Sequence, residues 1–315
     1  MKFKKIVSHG IPERLLEQKF WRKLDGLCEK RVLLNEGDTR LANELADADC
    51  LLVWFNGVDK KIIDKAHYLK YIGVLATGYG KIDTAFASSK SITVTNIPGY
   101  STESVAELVF AVLLEHLREI CRAKTLSKQS RTSEADFSGM EIKGKDFGVI
   151  GLGKIGSRVA EIATGFGAKV YYWSRAQKPE HEGKYKFEEL DQLVTHCDFL
   201  SINLALNDQT KNIFSAKHLV KIKRDAVVIN TAPLELFDLV ALNKRLSNND
   251  LTYIFDHTDP GDITDKDLDQ LRQHKNCITY PVLGYISKEA KIALQEIFVE
   301  NIDNFLKGSP KNLVN

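Results

Sequence analysis

What this sequence lacks narrows it first. No apolar run approaches the roughly 18 residues that span a bilayer, so no membrane segment is expected. The N-terminal "MKFKK" is basic, yet no apolar run of signal-peptide length follows it. Net charge is only +2 and no basic stripe is evident, which leaves no case for nucleic acid or an anionic membrane surface as a partner. The eight histidines form no HExxH and no pair at metal-site spacing, so no metal is expected. The five cysteines (Cys28, Cys50, Cys121, Cys197 and Cys277) contain no CxxC pair. An odd, scattered set points to reduced thiols in the cytoplasm, read here as buried structural groups. Repeats and low-complexity tracts are absent as well.

What is present suits two ordinary domains: 315 residues, 43% hydrophobic and 27% charged. Short β-branched runs alternate with amphipathic stretches throughout. In the first third the strand candidates are "KIVSH", "RVLLN", "CLLVWF", "YIGVLA" and "ITVTN". Later come "DFGVIG", "KVYYWS", "CDFLSIN", "AVVIN", "LTYIFD" and "CITYP". Val- and Ile-rich strands alternating with helices predict parallel sheets covered on both faces. Helices are expected over 11–29, over 59–68, as one long apolar helix over 101–124 opened by "STES", and from 287 to a stop at Gly308 and Pro310. The polar stretch 126–139 reads as a loop.

The most informative stretch is "DFGVIGLGKIGSRVAEIATGFGAKVYYWSR", residues 146–175. An apolar strand runs into Gly151-x-Gly153-x-x-Gly156, then a helix, then a second strand. Gly151 permits the tight turn, Gly153 lets a pyrophosphate approach the backbone, and Gly156 allows close helix–strand packing, with Lys154 and Ile155 in the same turn. In a complete strand–turn–helix–strand unit this predicts a bound dinucleotide. The end of the second strand carries Ser174 and Arg175, not the carboxylate that accepts from a ribose 2′-OH. Ser plus Arg, with Lys178 nearby, favours NADP(H) over NAD(H), unless Arg175 merely covers the adenine edge.

With "GVLATGYGKIDTAFASSKSITVTNIPGYSTESVAELVFAVLL" (73–114), "GVIGLGKIGSRVA", "NLALNDQT" and "VVINTA", the chain resembles the D-isomer-specific 2-hydroxyacid dehydrogenases over nearly its whole length. The resemblance implies an α/β fold of two doubly wound domains. A discontinuous, flavodoxin-like substrate domain is expected over 1–99 and 287–315, and a Rossmann dinucleotide-binding domain over 100–286. It implies a substrate carboxylate held by backbone N–H groups near Thr77 and Gly78, with Asn56 and Tyr100 lining the same pocket. It adds Asn203, Thr231, Ala232 and Asp256 to the cofactor-binding set, and a homodimer through the cofactor domain and the long helix.

The same resemblance exposes a loss. The family places an Arg after "NTA" to clamp the substrate, a His after Pro in a "TPH" segment to move the proton, and an acid to tune that His. Here the Arg position is Pro233 and the His position is Val282. No Arg lies between Asp225 and Lys244, and no His between Lys275 and Asn315. Arg224 and His274 stand at the strand entrances, about 16 Å from the exits. In the acid region, "IFDHTDPGD", His257 and Asp259 are the candidate substitutes. Tyr280 and Tyr285 flank the lost His. Losing both groups lowers ordinary 2-hydroxyacid turnover by about 10⁴–10⁷.

Two readings stay open. In one the chain is catalytically silent or much weakened, a dinucleotide-binding pseudoenzyme. In the other it is an active oxidoreductase that reduces a small 2-oxo acid with NADPH through substitute groups.

Overall fold

The β-branched runs pair into two wholly parallel sheets. The computed structural model describes residues 1–130, 133, 137–256 and 265–315. It divides into two compact units, Met1–Ser101 with Ser287–Asn315, and Thr102–Ile286, against an expected break after residue 99.

In the first unit β1 (Phe3–His9), β2 (Cys28–Leu34), β3 (Cys50–Val53), β4 (Tyr71–Val74) and β5 (Thr93–Thr95) lie in the order β2-β1-β3-β4-β5. β3 and β4 are buried at every position, which is why their sequences run apolar without alternating. Ile6, Leu52 and Tyr71 pack with Phe298 and Ile302 of the C-terminal helix, Lys288–Leu306, on one face. Val7, Leu51, Val53 and Ile72 pack with Ile63 and Ala87 on the other. The C-terminal helix starts where Ser287 Oγ accepts from the Ala290 N–H at 3.0 Å and ends before Gly308 at φ +77°, as its sequence predicts. The expected helix over 11–29 is cut down to α1 (Gln18–Gly26), preceded by a short 3-10 turn at Glu13–Leu15. Cys28 is instead taken into β2, opposite Phe3. Strand pairing with a neighbour remote in sequence outweighs the local helical pattern.

In the second unit the order is β12-β11-β10-β9-β6-β7-β8, with β6 (Asp146–Ile150), β7 (Lys169–Trp173), β8 (Lys186–Phe187), β9 (Phe199–Ile202), β10 (Ala226–Asn230), β11 (Leu251–Asp256) and β12 (Cys277–Tyr280). The order reverses between β6 and β9, the switch point at which open α/β sheets take their ligands. The two-residue edge strand β8 carries too little pattern to be read in advance.

The expected long helix over 101–124 is two helices, Thr102–Arg118 and Ile120–Lys128. Glu119 breaks it with φ 47°, in the left-handed region. The break is held by the Leu117 carbonyl, which accepts from Met140 N–H at 3.2 Å, and by the Glu119 carboxylate, which accepts from Arg122 at 2.6 Å. The second helix runs through Lys128, so the polar loop begins later than expected.

Four cysteines are buried, but Cys121 is exposed, which corrects its reading as a buried thiol. Burial pushes the Cys277 thiol up to about 12. Cys28, Cys50 and Cys197 are raised by the same cause, and Cys121 is raised by its hydrogen bond to Glu115. None is poised as a thiolate at neutral pH. Among the described residues no helix is long and apolar enough to cross a membrane, and no cluster of three or more His, Cys, Asp or Glu is placed to hold a metal ion.

Candidate functional site

The glycine turn sits at the switch point of the second sheet. Gly151 follows β6 with φ +94°, a conformation that side chains oppose. A Cβ there would lie 2.7 Å from the Asn203 carbonyl oxygen. At Gly156 a Cβ would lie 1.9 Å from the Gly151 carbonyl oxygen, so helix and turn touch backbone to backbone. Gly153 is different: it is exposed, and a Cβ there would meet nothing within 4 Å. It is the N-cap of the helix Lys154–Gly165, with no side chain accepting from the first turn. The helix therefore presents uncapped N–H donors and its positive dipole end beside an open backbone. Lys154 is exposed at this end, while Ile155 packs into the core beneath. These residues fit a pyrophosphate.

The loop after β7 is folded by its own hydrogen bonds. Ser174 Oγ donates to the Ala176 carbonyl at 2.6 Å, and Tyr172 Oη accepts from the Lys178 N–H at 2.9 Å. Ser174 is buried and shapes the loop, whereas Arg175 is exposed and Lys178 half-buried. Over residues 174–178 the loop carries two cations, Arg175 and Lys178, and no carboxylate.

Asn203, after β9, turns its amide back to the Ser201 carbonyl and hydroxyl, both at 3.1 Å. At the end of β10, Asn230 Oδ1 accepts from Ala232 N–H at 3.0 Å while its Nδ2 donates to Tyr253 Oη at 2.9 Å. This buried pair fixes the peptide between Thr231 and Pro233. Pro233 then opens a 3-10 turn, Leu234–Leu236, with φ −55°.

Asp256, at the end of β11, has both oxygens engaged. Oδ1 accepts from the Leu283 N–H and Oδ2 from the Gly284 N–H, each at 2.9 Å. A Cβ on Gly284 would lie 2.8 Å from Asp256 Oδ2, so glycine is required for the contact. Asp256 thus pins the loop that carries Val282, a role its sequence position does not announce. Tyr280 is not free to donate a proton to a substrate, because its hydroxyl already donates to Glu115 at 2.9 Å, and burial together with that carboxylate raises its pKa. His257 and Asp259 lie outside the described residues.

In the first unit Asn56 lies at the β1/β3 switch point, its Oδ1 against Gly10, where a Cβ would come within 1.8 Å. Thr77 and Gly78 follow β4. Thr77 Oγ1 donates to Ile97 O at 2.8 Å, and Gly78 is exposed with open space around it. Tyr100 packs half-buried against the hydrophobic core of this unit. Sequence reasoning overlooked the amides of Asn96 and Asn301, which hold this turn. The polar end of "ITVTN", on an otherwise buried run, was the available signal.

Residues 110–284 match the family described as D-isomer specific 2-hydroxyacid dehydrogenase, NAD binding domain. A glyoxylate reductase of Thermococcus litoralis is 31% identical, over 100% of this chain and 97% of its own. Among solved structures, an acyclic imino acid reductase in complex with NADPH and D-Arg superposes with TM-score 0.86 at 27% identity, covering 99% of this chain and 100% of that one. A D-lactate dehydrogenase from Aquifex aeolicus, complexed with NAD and lactic acid, does so with TM-score 0.85 at 25% identity, covering 98% of each. Glycine turn, strand order and whole-length likeness agree: this chain is an NAD(P)-dependent oxidoreductase fold belonging to the D-isomer-specific 2-hydroxyacid dehydrogenase family.

Proposed function

We propose that this protein is a cytoplasmic, homodimeric NADP(H)-binding member of its family, much weakened toward ordinary 2-hydroxy and 2-oxo acids. The observation that carries the reading is the pair Pro233 and Val282, at the exits of β10 and β12. The bound dinucleotide supplies or accepts a hydride. Gly151, Gly153 and the uncapped helix hold its pyrophosphate, and Arg175 with Lys178 holds the 2′-phosphate. The N–H groups at Thr77 and Gly78 hold the substrate carboxylate. A carbonyl oxygen that gains charge as hydride arrives needs a donor and a cation, and Val and Pro provide neither.

The test titrates NADPH and NADH against the protein by nicotinamide fluorescence, then follows NADPH absorbance with glyoxylate and hydroxypyruvate. NADPH binding without turnover at ordinary dehydrogenase rates supports the reading. Rapid turnover, or no binding below millimolar cofactor, refutes it. Pro233→Arg combined with Val282→His is expected to raise the rate by about 10⁴–10⁷ if only those groups are missing. No gain would mean that the pocket itself has diverged.

The same two residues favour a second reading, in line with the imino acid reductase among the structural neighbours. A protonated imine already carries its proton and its positive charge. An Arg at position 233 would repel it, and a His at position 282 would have no oxyanion to protonate. Hydride addition to the carbon neutralises the nitrogen and leaves a secondary or primary amine, with no proton drawn from the protein. Glyoxylate with methylamine is then reduced about 100-fold faster than glyoxylate alone, a factor in the range of one general acid. Equal rates would exclude this substrate class.

A further inference from the structure

A line of side-chain amides crosses the first unit, from the C-terminal tail to the turn after β4. Asn312 Nδ2 donates to Asn301 Oδ1 at 2.8 Å. Asn301 Nδ2 donates to the Asn96 carbonyl at 2.8 Å. Asn96 Nδ2 donates to the Thr77 carbonyl at 2.7 Å. The Asn96 N–H returns to the Asn312 carbonyl at 3.2 Å, which closes the tail onto the same residue. Asn96 and Asn301 are 7% and 2% exposed, so both residues are buried, with each Nδ2 donating to a backbone carbonyl.

The tail is itself anchored. Asn315 Oδ1 accepts from Val94 N–H at 2.8 Å, its Nδ2 donates to Ile92 O at 2.7 Å, and Val314 N–H donates to Val94 O at 3.0 Å. It lies along the outer edge of β5.

At the other end of the line the turn has little packing of its own. Gly78 and Gly80 are both exposed, and a Cβ on either would meet nothing within 4 Å. The backbone there is fixed from behind, through Thr77. Apolar residues at 96 and 301 would satisfy packing alone, and a buried amide costs free energy unless fully bonded. The Thr77 hydroxyl donates to Ile97 O at 2.8 Å and Ala76 O accepts from Ile97 N–H at 3.0 Å, so strand-side bonds hold the start of the turn. Three amides in series add the one hydrogen bond to the Thr77 carbonyl, the group that sets the direction of the Thr77–Gly78 peptide.

We propose that Asn96, Asn301 and Asn312 are positioning residues for the Thr77–Gly78 turn, so that the C-terminal tail takes part in substrate recognition. The inference rests on the reading that this turn holds the substrate carboxylate. Asn312 has φ +54°, a conformation that glycine adopts without strain, so Asn312→Gly deletes the amide and spares the backbone.

The full-length protein, labelled with ¹⁵N-glycine and saturated with NADPH, is examined by NMR with and without oxalate. In Asn312→Gly the Gly78 amide resonance is expected to move before any oxalate is added. Oxalate affinity is expected to fall about three- to ten-fold, the scale of one net hydrogen bond. Asn301→Asp, which turns an oxygen toward the Asn96 carbonyl, is expected to move the same resonance further. A folded Asn312→Gly protein whose Gly78 signal and oxalate affinity match the wild type overturns the proposal. Should oxalate leave Gly78 of the wild type unmoved, the carboxylate reading fails by itself. The shift caused by Asn312→Gly in the free protein still decides the relay.

Discussion

Two glycines three residues apart make opposite predictions, and together they test the dinucleotide site. At Gly156 an added methyl would stand 1.9 Å from the Gly151 carbonyl oxygen, against backbone that cannot rotate away. Helix and strand must separate, an overpacking cost of about 2–3 kcal/mol. For a unit the size of Thr102–Ile286 that lowers Tm by about 4–12 °C. At Gly153 an added methyl meets nothing within 4 Å, and the backbone, with φ −84° and ψ −162°, accepts any residue. Replacing glycine by alanine at an N-cap costs about 0.5–1 kcal/mol. The reduced entropy of the unfolded chain returns about as much. Gly153→Ala should therefore melt within about 2 °C of the wild type. Its methyl nevertheless occupies the space through which a pyrophosphate reaches the helix N–H groups. Losing one or two charge-assisted hydrogen bonds costs about 2–4 kcal/mol, or about 30- to 1000-fold in NADPH affinity. The assay is a thermal melt of both variants beside a fluorescence titration with NADPH. If Gly153→Ala binds NADPH as the wild type does, the turn is not the pyrophosphate seat and the reading of the site collapses.

Other expectations are simpler. Arg175→Glu should reverse the cofactor preference, weakening NADPH by about tenfold or more through repulsion of the 2′-phosphate while leaving NADH little changed; parallel titrations decide it. Asp256→Asn replaces two carboxylate acceptors facing the Leu283 and Gly284 N–H groups by one acceptor and one donor, and should cost about 1.5–3 kcal/mol in denaturant melts. Burial lowers the pKa of His9, His116 and His218 below 6.5, so the unfolded chain binds protons that the folded chain does not. Stability should therefore rise with pH up to about 7 and flatten above it. Melts across pH 5–8 that showed greater stability at the acid end would contradict this account.

Much of the fold was legible in local pattern. Apolar β-branched runs separated by helices dictate parallel, doubly covered sheets, because a strand buried on both faces has no polar side to display. The spacing of Gly151, Gly153 and Gly156 between a strand and a helix specifies the dinucleotide turn: Gly151 and Gly156 answer steric demands of the turn itself, and Gly153 leaves its backbone open to a ligand. That Pro233 follows "NTA" and Val282 follows "TYP" is likewise read from the chain alone, while their standing in place of a cation and an imidazole is what the family resemblance implies.

Tertiary structure decided what depends on partners far along the chain. Cys28 leaves a helical pattern because Phe3 offers it a strand edge. Glu119 ends a helix that its own neighbours would continue, where Met140 supplies the closing hydrogen bond to Leu117. Asp256 reads as a cofactor or acid group in sequence, yet its carboxylate closes on two N–H groups of a loop beyond the next strand. Asn96 and Asn301 look like ordinary polar residues until the fold brings them into line behind Thr77. Hydrophobic periodicity is written over a few residues and can be read there. A hydrogen bond between groups that sequence holds apart exists only once the backbone has brought them within 3 Å, and so only the folded chain assigns it.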